Sequence, residues 1–343
     1  MPPSPYRPAA LAWQVFRGSE AIRERLLTRH QLRGGSWVRL MHDVYADARL
    51  DRDHELLCRA ASLRLPAGVL MAGPSAAYLH GIEHAATFTD EVHVLAPMHL
   101  RLGSQRGIRV HTLGPRHPQR GIPVHTAGPR SLPSPSQGQP QLSGQPGTAT
   151  TEQHSHQPGA GTRLGRAQPL LRSDAVCSAW ECAVWLEPVQ AVGIIDAILR
   201  QELVDSAGLA AVARANTGRP GGRRAEWVFG LTDAGAESPP ESQLRVRLIL
   251  AGLPRPVTQH PVQLPSGRIL HPDLSWPEYR VAVEYDGHWH SDPEQLHLDR
   301  QRLNQLVAAG WQVLHVTSRR LHRDFPGLVR EVRSALVAAG WRR

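Results

Sequence analysis

Between Leu132 and Gln168 the chain is mostly Ser, Pro, Gly, Gln and Thr, with hardly a branched apolar side chain. Such a composition buries too little apolar surface to offset the entropy of ordering the chain. We therefore expect residues 131–170 to be a disordered linker. The 343 residues must then be divided among separate cores on either side of it, in keeping with a length suited to two or three domains.

Before the linker, residues 13–50 and 51–130 form one folded region that begins with short helical patterns and ends in strand-like runs such as Glu91-Val-His-Val-Leu-Ala96. Its end carries a tandem near-repeat, Arg106-Gly-Ile-Arg-Val-His-Thr-Leu-Gly-Pro-Arg116 and Arg120-Gly-Ile-Pro-Val-His-Thr-Ala-Gly-Pro-Arg130. Two copies are too few for a solenoid, so a duplicated strand and turn is the simpler reading. Pro123 suits the second copy to an edge or a loop. After the linker, residues 171–235 have helical spacing in Ala175–Leu186 and Val189–Leu199, and Ser206 is placed to cap a further helix. A third region, 237–343, opens at Ser238-Pro-Pro-Glu241, where Ser238 is an N-cap and Glu241 has capping-box spacing.

The net charge is +9, and because the sequence contains no lysine, all 39 basic positions are arginine. A polyanionic partner fits this charge, although an arginine-rich genome bias alone would also produce it. Arginine grips phosphate in a bidentate fork but does not readily serve as a general base. Cys58, Cys177 and Cys182 are too few and too badly spaced for a disulfide framework or a four-cysteine zinc site. No stretch approaches the roughly 18 uncharged apolar residues of a membrane span. The expectation is a reducing, cytoplasmic setting with no membrane partner.

Within residues 13–50, Ile22–Leu27 suggests a short helix, Thr28 caps a second, and a third is expected from Ser36 with Trp37, Val38 and Leu40 facing inward. Val44–Ala46 then makes the strand of a small wing. Helix, turn, helix, strand is a winged helix-turn-helix order. Leu27-Thr-Arg-His-Gln-Leu32, Trp37-Val-Arg-Leu40 and Val44-Tyr-Ala46 resemble the N-terminal domain of AbiEi-type antitoxins of type IV toxin-antitoxin systems. The resemblance implies DNA contact through Arg29, Arg33 and Arg39, and a cognate toxin as a partner.

The C-terminal region concentrates the chemistry. Arg268-Ile-Leu-His-Pro-Asp273-Leu-Ser-Trp276 and Pro277-Glu-Tyr-Arg-Val-Ala-Val-Glu284-Tyr-Asp286-Gly-His-Trp-His290 read as two strands joined by a tight turn. Asp273 would end one strand and Glu284 would lie along its neighbour, with Glu241 projecting from the preceding helix. Three hard oxygen ligands of this kind suit Mg²⁺ or Mn²⁺. A capping role accounts for Glu241 nearly as well.

Helix with Glu, strand with Pro-Asp, strand with Glu and a following helix resembles the PD-(D/E)xK nucleases, and within them the very-short-patch repair endonucleases. The resemblance spans nearly the whole third region and implies an α/β domain, a mixed sheet flanked by helices. It also implies a metal-dependent DNA endonuclease with Glu241, Asp273 and Glu284 as metal ligands. Asp286 stands where the repair enzymes have a catalytic histidine, and the lysine of the Glu-x-Lys element is missing. Asp273, Glu284, Asp286 and His290 are therefore the expected catalytic set, with Arg302 or Arg300 on the following helix supplying the positive charge. The absence of cysteine from this region gives no support for the structural zinc of the repair enzymes. The alternative is an antitoxin-like transcriptional regulator whose nuclease-like domain is catalytically degenerate.

Overall fold

The computed structural model describes residues 6–113, 125–127, 170–286 and 293–342, with backbone alone at 113, 125–127 and 293–300. The expected linker therefore lies outside the described residues, except for Leu170. So do Gly287, His288, His290 and the side chains of Asp299 and Arg300. The chain is a mixed α/β protein with mixed sheets flanked by helices. It divides into two compact units, residues 1–67 with 126–171 and residues 68–125 with 172–343.

The first unit is built on a three-stranded antiparallel sheet, β1 (Val15–Arg17), β3 (Val44–Asp47) and β2 (Trp37–Met41), in the order β1-β3-β2. Helices α1 (Gly18–Arg23) and α2 (His54–Ser62) accompany it. Its core is Leu11, Phe16, Ala21, Leu27, Leu32 and Trp37, with Phe16 edge-on to Trp37 at 5.1 Å. The third helix expected from Ser36 is instead the strand β2. Its ends Trp37 and Met41 are buried and Arg39 between them is exposed, an alternation that suits an aromatic and β-branched strand. Asp43, in the left-handed region at φ 60°, makes the turn back into β3, and its carboxylate accepts the Ser19 backbone N–H at 2.8 Å. Thr28 does act as a cap: its Oγ1 accepts the Gln31 N–H at 3.2 Å, while Gln31 Oε1 accepts the Thr28 N–H at 2.8 Å. The element it caps is not a full helix but one 3₁₀ turn, Gln31–Arg33, cut short by Gly34 and Gly35.

The second unit begins with β4 (Leu70–Met71), α3 (Gly73–Leu79), β5 (Val92–Pro97) and β6 (Ile108–Leu113). β5 pairs antiparallel with β4 and parallel with β6, and the division between the two units falls, in sequence, within β7 (His125–Ala127) and β8 (Leu170–Arg172). Four helices follow: α4 (Ala175–Trp185), α5 (Pro188–Arg200), α6 (Ser206–Ala215) and α7 (Gly222–Gly230). The cap of α6 is Asp205, one residue ahead of Ser206, its carboxylate accepting the Gly208 N–H. The buried Glu181 of α4 ties helix to sheet, its Oε2 accepting from the Gly73 N–H at 2.6 Å and the Ser173 hydroxyl at 2.9 Å.

Helix α8 (Pro239–Leu250) belongs to two cores at once. Val246 packs with the α4–α7 cluster, while Leu244 and Leu248 pack with the C-terminal sheet. A helix walled on both sides must bury its polar positions too. Arg245 is fully buried and pairs with Asp196 of α5 at 2.7 Å, also donating to the Leu231 carbonyl. Such a pair is costly to break, because removing one partner strands the other charge in the interior.

The C-terminal sheet comprises β9 (Val257–Thr258), β12 (Leu274–Trp276), β13 (Val281–Asp286) and β14 (Gln312–Thr317), in the order β14-β13-β12-β9, after a small hairpin of β10 (Val262–Gln263) and β11 (Ile269–Leu270). β12 and β13 are antiparallel, and Arg280 in the left-handed region at φ 51° turns one into the other. β13 and β14 are parallel, joined by helix α9 (Pro293–Ala308). Helices α10 (Ser318–Arg323) and α11 (Phe325–Ala338) close the chain, with Leu328, Val332 and Leu336 facing the sheet core.

Candidate carboxylate site

The register of the central hairpin places the expected acids. Leu274 pairs with Val283, so Asp273, the next residue back, lies beside Glu284, the next residue on. The Tyr285 N–H donates to Asp273 Oδ2 at 2.7 Å, which holds the carboxyl against the neighbouring strand. Both acids are largely shielded from solvent, and burial raises their proton affinity, Asp273 to about 6 and Glu284 to about 7. Each also feels the other or Glu241 as a like charge, which adds to the rise.

Arg302 of α9 reaches this pair. Its Nη2 donates to Glu284 Oε1 at 3.3 Å and to the His271 carbonyl, and its Nε is buried with no hydrogen-bond partner among the described residues. The guanidinium lowers the proton affinity of both acids, but less than burial raises it. Asp286 is exposed at the end of β13, two residues beyond Glu284 and so on the same face. Parallel pairing of Glu284 with His315 of β14 adds a residue that sequence reasoning missed. Paired positions on parallel strands share a face, so His315 stands beside the acids. Its signal was a lone polar residue inside the apolar run Val313–Val316.

Glu241 is positioned differently from the expectation of a third ligand. Its Oε1 accepts the Ser238 hydroxyl at 2.6 Å and its Oε2 the Glu237 N–H at 2.9 Å, so both oxygens serve the start of α8. Among the described residues no group of three or more His, Cys, Asp or Glu side chains is gathered as a metal-binding set. Asp273 and Glu284 are adjacent oxygen donors of the kind a hard divalent cation takes, and among the described residues one guanidinium, that of Arg302, is bonded to the pair.

The arginines assigned to DNA lie in the first unit. Arg29, Arg33 and Arg39 are all exposed. Arg33 ends the 3₁₀ turn, and Arg39 projects from β2 with its Nε bonded to the Met41 carbonyl at 3.3 Å. None of the three is on an α-helix, so no recognition helix presents them.

Among the described residues no helix is long and apolar enough to cross a membrane. No family model matches the chain, and no solved structure does. The chain is similar to two uncharacterised proteins from two strains of Mycobacterium tuberculosis, 30% identical over 168 residues in each case. The match takes in 49% of this chain and 62% of the length of each relative, so it joins part of this sequence to part of theirs.

Proposed function

We propose that the protein binds DNA and that its C-terminal part hydrolyses DNA phosphodiester bonds with Mg²⁺ or Mn²⁺, as a PD-(D/E)xK-like endonuclease. The observation that carries this reading is the half-buried, like-charged pair Asp273 and Glu284 on adjacent strands, with Arg302 at its edge. Two carboxyls with raised proton affinity have more to gain from a divalent ion than ordinary surface acids do. Asp273 and Glu284 would hold the ion, which when bound supplies Lewis-acid polarisation of a phosphoryl oxygen.

The remaining steps belong to the chain. Asp273 is fixed by the Tyr285 N–H, so it holds its position whether or not substrate is present. The part-exposed guanidinium of Arg302 offsets the charge that builds on a phosphate oxygen, the task a lysine performs in the family this region resembles. Asp286, exposed beside Glu284, accepts a proton from the attacking water. His290 lies outside the described residues and stays in the proposal as a phosphate contact. Arg29, Arg33 and Arg39 contribute sequence-independent attraction to the duplex backbone. A winged-helix module in residues 13–50 and a cognate toxin belong to this reading as proposals, resting on the antitoxin resemblance alone.

A second reading has its own support. Glu241 is consumed by its helix cap, and Arg302 already neutralises part of Glu284. Both features suit a degenerate nuclease domain used by an antitoxin-like regulator for binding. Calorimetric titration of Mg²⁺ and Mn²⁺ separates the two. The nuclease reading expects one ion per chain, lost in Asp273→Asn, and is abandoned if the wild type binds neither metal.

A further inference from the structure

A cavity of about 590 Å³ opens in the second unit, lined by β5, β6 and the turn between α4 and α5. None of the C-terminal carboxylates lines it. It contains His93 of β5 and His111 of β6, the latter from the first copy of the tandem near-repeat. The two strands are parallel, and His93 pairs with Arg109, two residues before His111. Alternation therefore puts both histidines on one face. There His93 Nδ1 and His111 Nε2 stand 3.2 Å apart.

That separation is the bite of a chelate. Two imidazole nitrogens about 2.0–2.1 Å from one ion, and this far apart, subtend an angle of about 100° at it, close to tetrahedral. The ring of His111 is held for the purpose. It stacks flat on Trp185, with centroids 3.5 Å apart and planes within 5°. Trp185 in turn packs so closely on Gly73, at φ +52°, that a Cβ there would come within 2.8 Å of the indole.

The cavity favours a cation over an anion. Among the described residues, Asp90, Glu91 and Glu187 line it against one guanidinium, that of Arg109, which Glu91 already pairs at 2.7 Å. This local excess of acid stands in a chain of net charge +9.

We propose that His93 Nδ1 and His111 Nε2 together bind one divalent ion of the zinc class, with water from the cavity completing its coordination. Imidazole selects zinc, nickel or copper over magnesium, which sets this site apart from the Asp273 and Glu284 pair. No third acid, histidine or cysteine is gathered with the pair among the described residues, so water fills the other positions. On binding, the hydrogen now shared by the two nitrogens moves to the far nitrogen of its own ring. Both lone pairs then face the ion.

The test is Zn²⁺ titration of the full chain by equilibrium dialysis, in an Asp273→Asn background that removes the carboxylate site proposed above. His111→Phe keeps a flat ring against Trp185 but removes the nitrogen. His93→Gln removes the other ligand. We expect one Zn²⁺ equivalent to disappear in each, with melting temperatures near the parent's, and to remain in His84→Gln. An unchanged stoichiometry in both His111→Phe and His93→Gln overturns the proposal, as does loss of the equivalent in His84→Gln alone. If His111→Phe does not fold, His93→Gln alone decides. Failure here leaves the nuclease reading untouched, since that reading depends on Mg²⁺ or Mn²⁺ and on different residues.

Discussion

Replacing Asp273 by Asn removes one charge from the carboxylate pair while leaving an oxygen to accept the Tyr285 N–H. Its effect on stability can be worked from the structure. Burial, with the charges of Glu241 and Glu237, raises Asp273 from 3.8 to about 6. A carboxyl whose folded pKa is raised takes up a proton on folding. Its stabilising contribution is complete below the unfolded pKa and is lost as the pH rises through the folded one. The loss falls between about pH 4 and pH 6 for Asp273, and between about pH 4.5 and pH 7 for Glu284. One unit corresponds to about 1.4 kcal/mol, so the Asp273 displacement sets an upper bound of about 3 kcal/mol above pH 7. Water entry at the partly open site lowers this, and relief of Glu284 adds to it. We expect Asp273→Asn to be about 1–3 kcal/mol more stable than wild type at pH 8 and close to it at pH 4. Urea unfolding in EDTA, which keeps divalent ions away, measures the difference. Equal stability at pH 8, or a variant less stable there than wild type, would refute the argument that holding Asp273 ionised in this site without a cation costs stability.

Glu181 extends the same logic into the helical part. Burial chiefly, aided by Asp174, raises it from 4.5 to about 8, so its contribution is lost as the pH climbs through that window. Glu181→Gln can still accept from Gly73 and Ser173, and its melting temperature should match wild type at pH 4 and exceed it at pH 8; parallel pH profiles would contradict this. In the first unit, changing Arg33 and Arg39 together to Ala should weaken duplex binding by the full chain and flatten its dependence on salt. An unchanged salt slope, read by fluorescence anisotropy, would remove these arginines from the interface.

The parts of this architecture that were legible in the sequence are those fixed locally. Ser238 and Glu241 specify the start of α8 within four residues: Ser238 Oγ accepts the Glu241 N–H, and Glu241 accepts in return from the Ser238 hydroxyl and from the Glu237 N–H. Asp273 and Glu284 were readable as neighbours because a Pro-Asp element, a tight turn and an alternating strand leave little freedom of register. Long-range partners were not readable. Trp37–Met41 is a strand because β3 pairs with it, and its sequence alone suits a helix nearly as well. The contact of Arg245 with Asp196 spans 49 positions, and no local pattern announces that α8 is walled on both faces. The His93 and His111 pair depends on which strands run parallel, a property of the assembled sheet. Glu241 shows the converse limit: one residue satisfied two local readings, and the cap took both of its oxygens.

The central claim is that Asp273 and Glu284 serve phosphodiester hydrolysis, and nicking of supercoiled plasmid tests it most directly. Purified wild type is compared with Asp273→Ala, Asp286→Ala and Arg302→Ala in Mn²⁺, in Mg²⁺ and in EDTA. Weak cleavage favouring Mn²⁺ is expected from wild type, with none in EDTA and none from Asp273→Ala or Asp286→Ala. Arg302→Ala should lower turnover while leaving DNA affinity nearly unchanged, since its guanidinium acts on charge that appears only in the transition state. Equal cleavage by wild type and Asp273→Ala would contradict the account, marking the activity as a contaminant and the domain as one that binds without cutting.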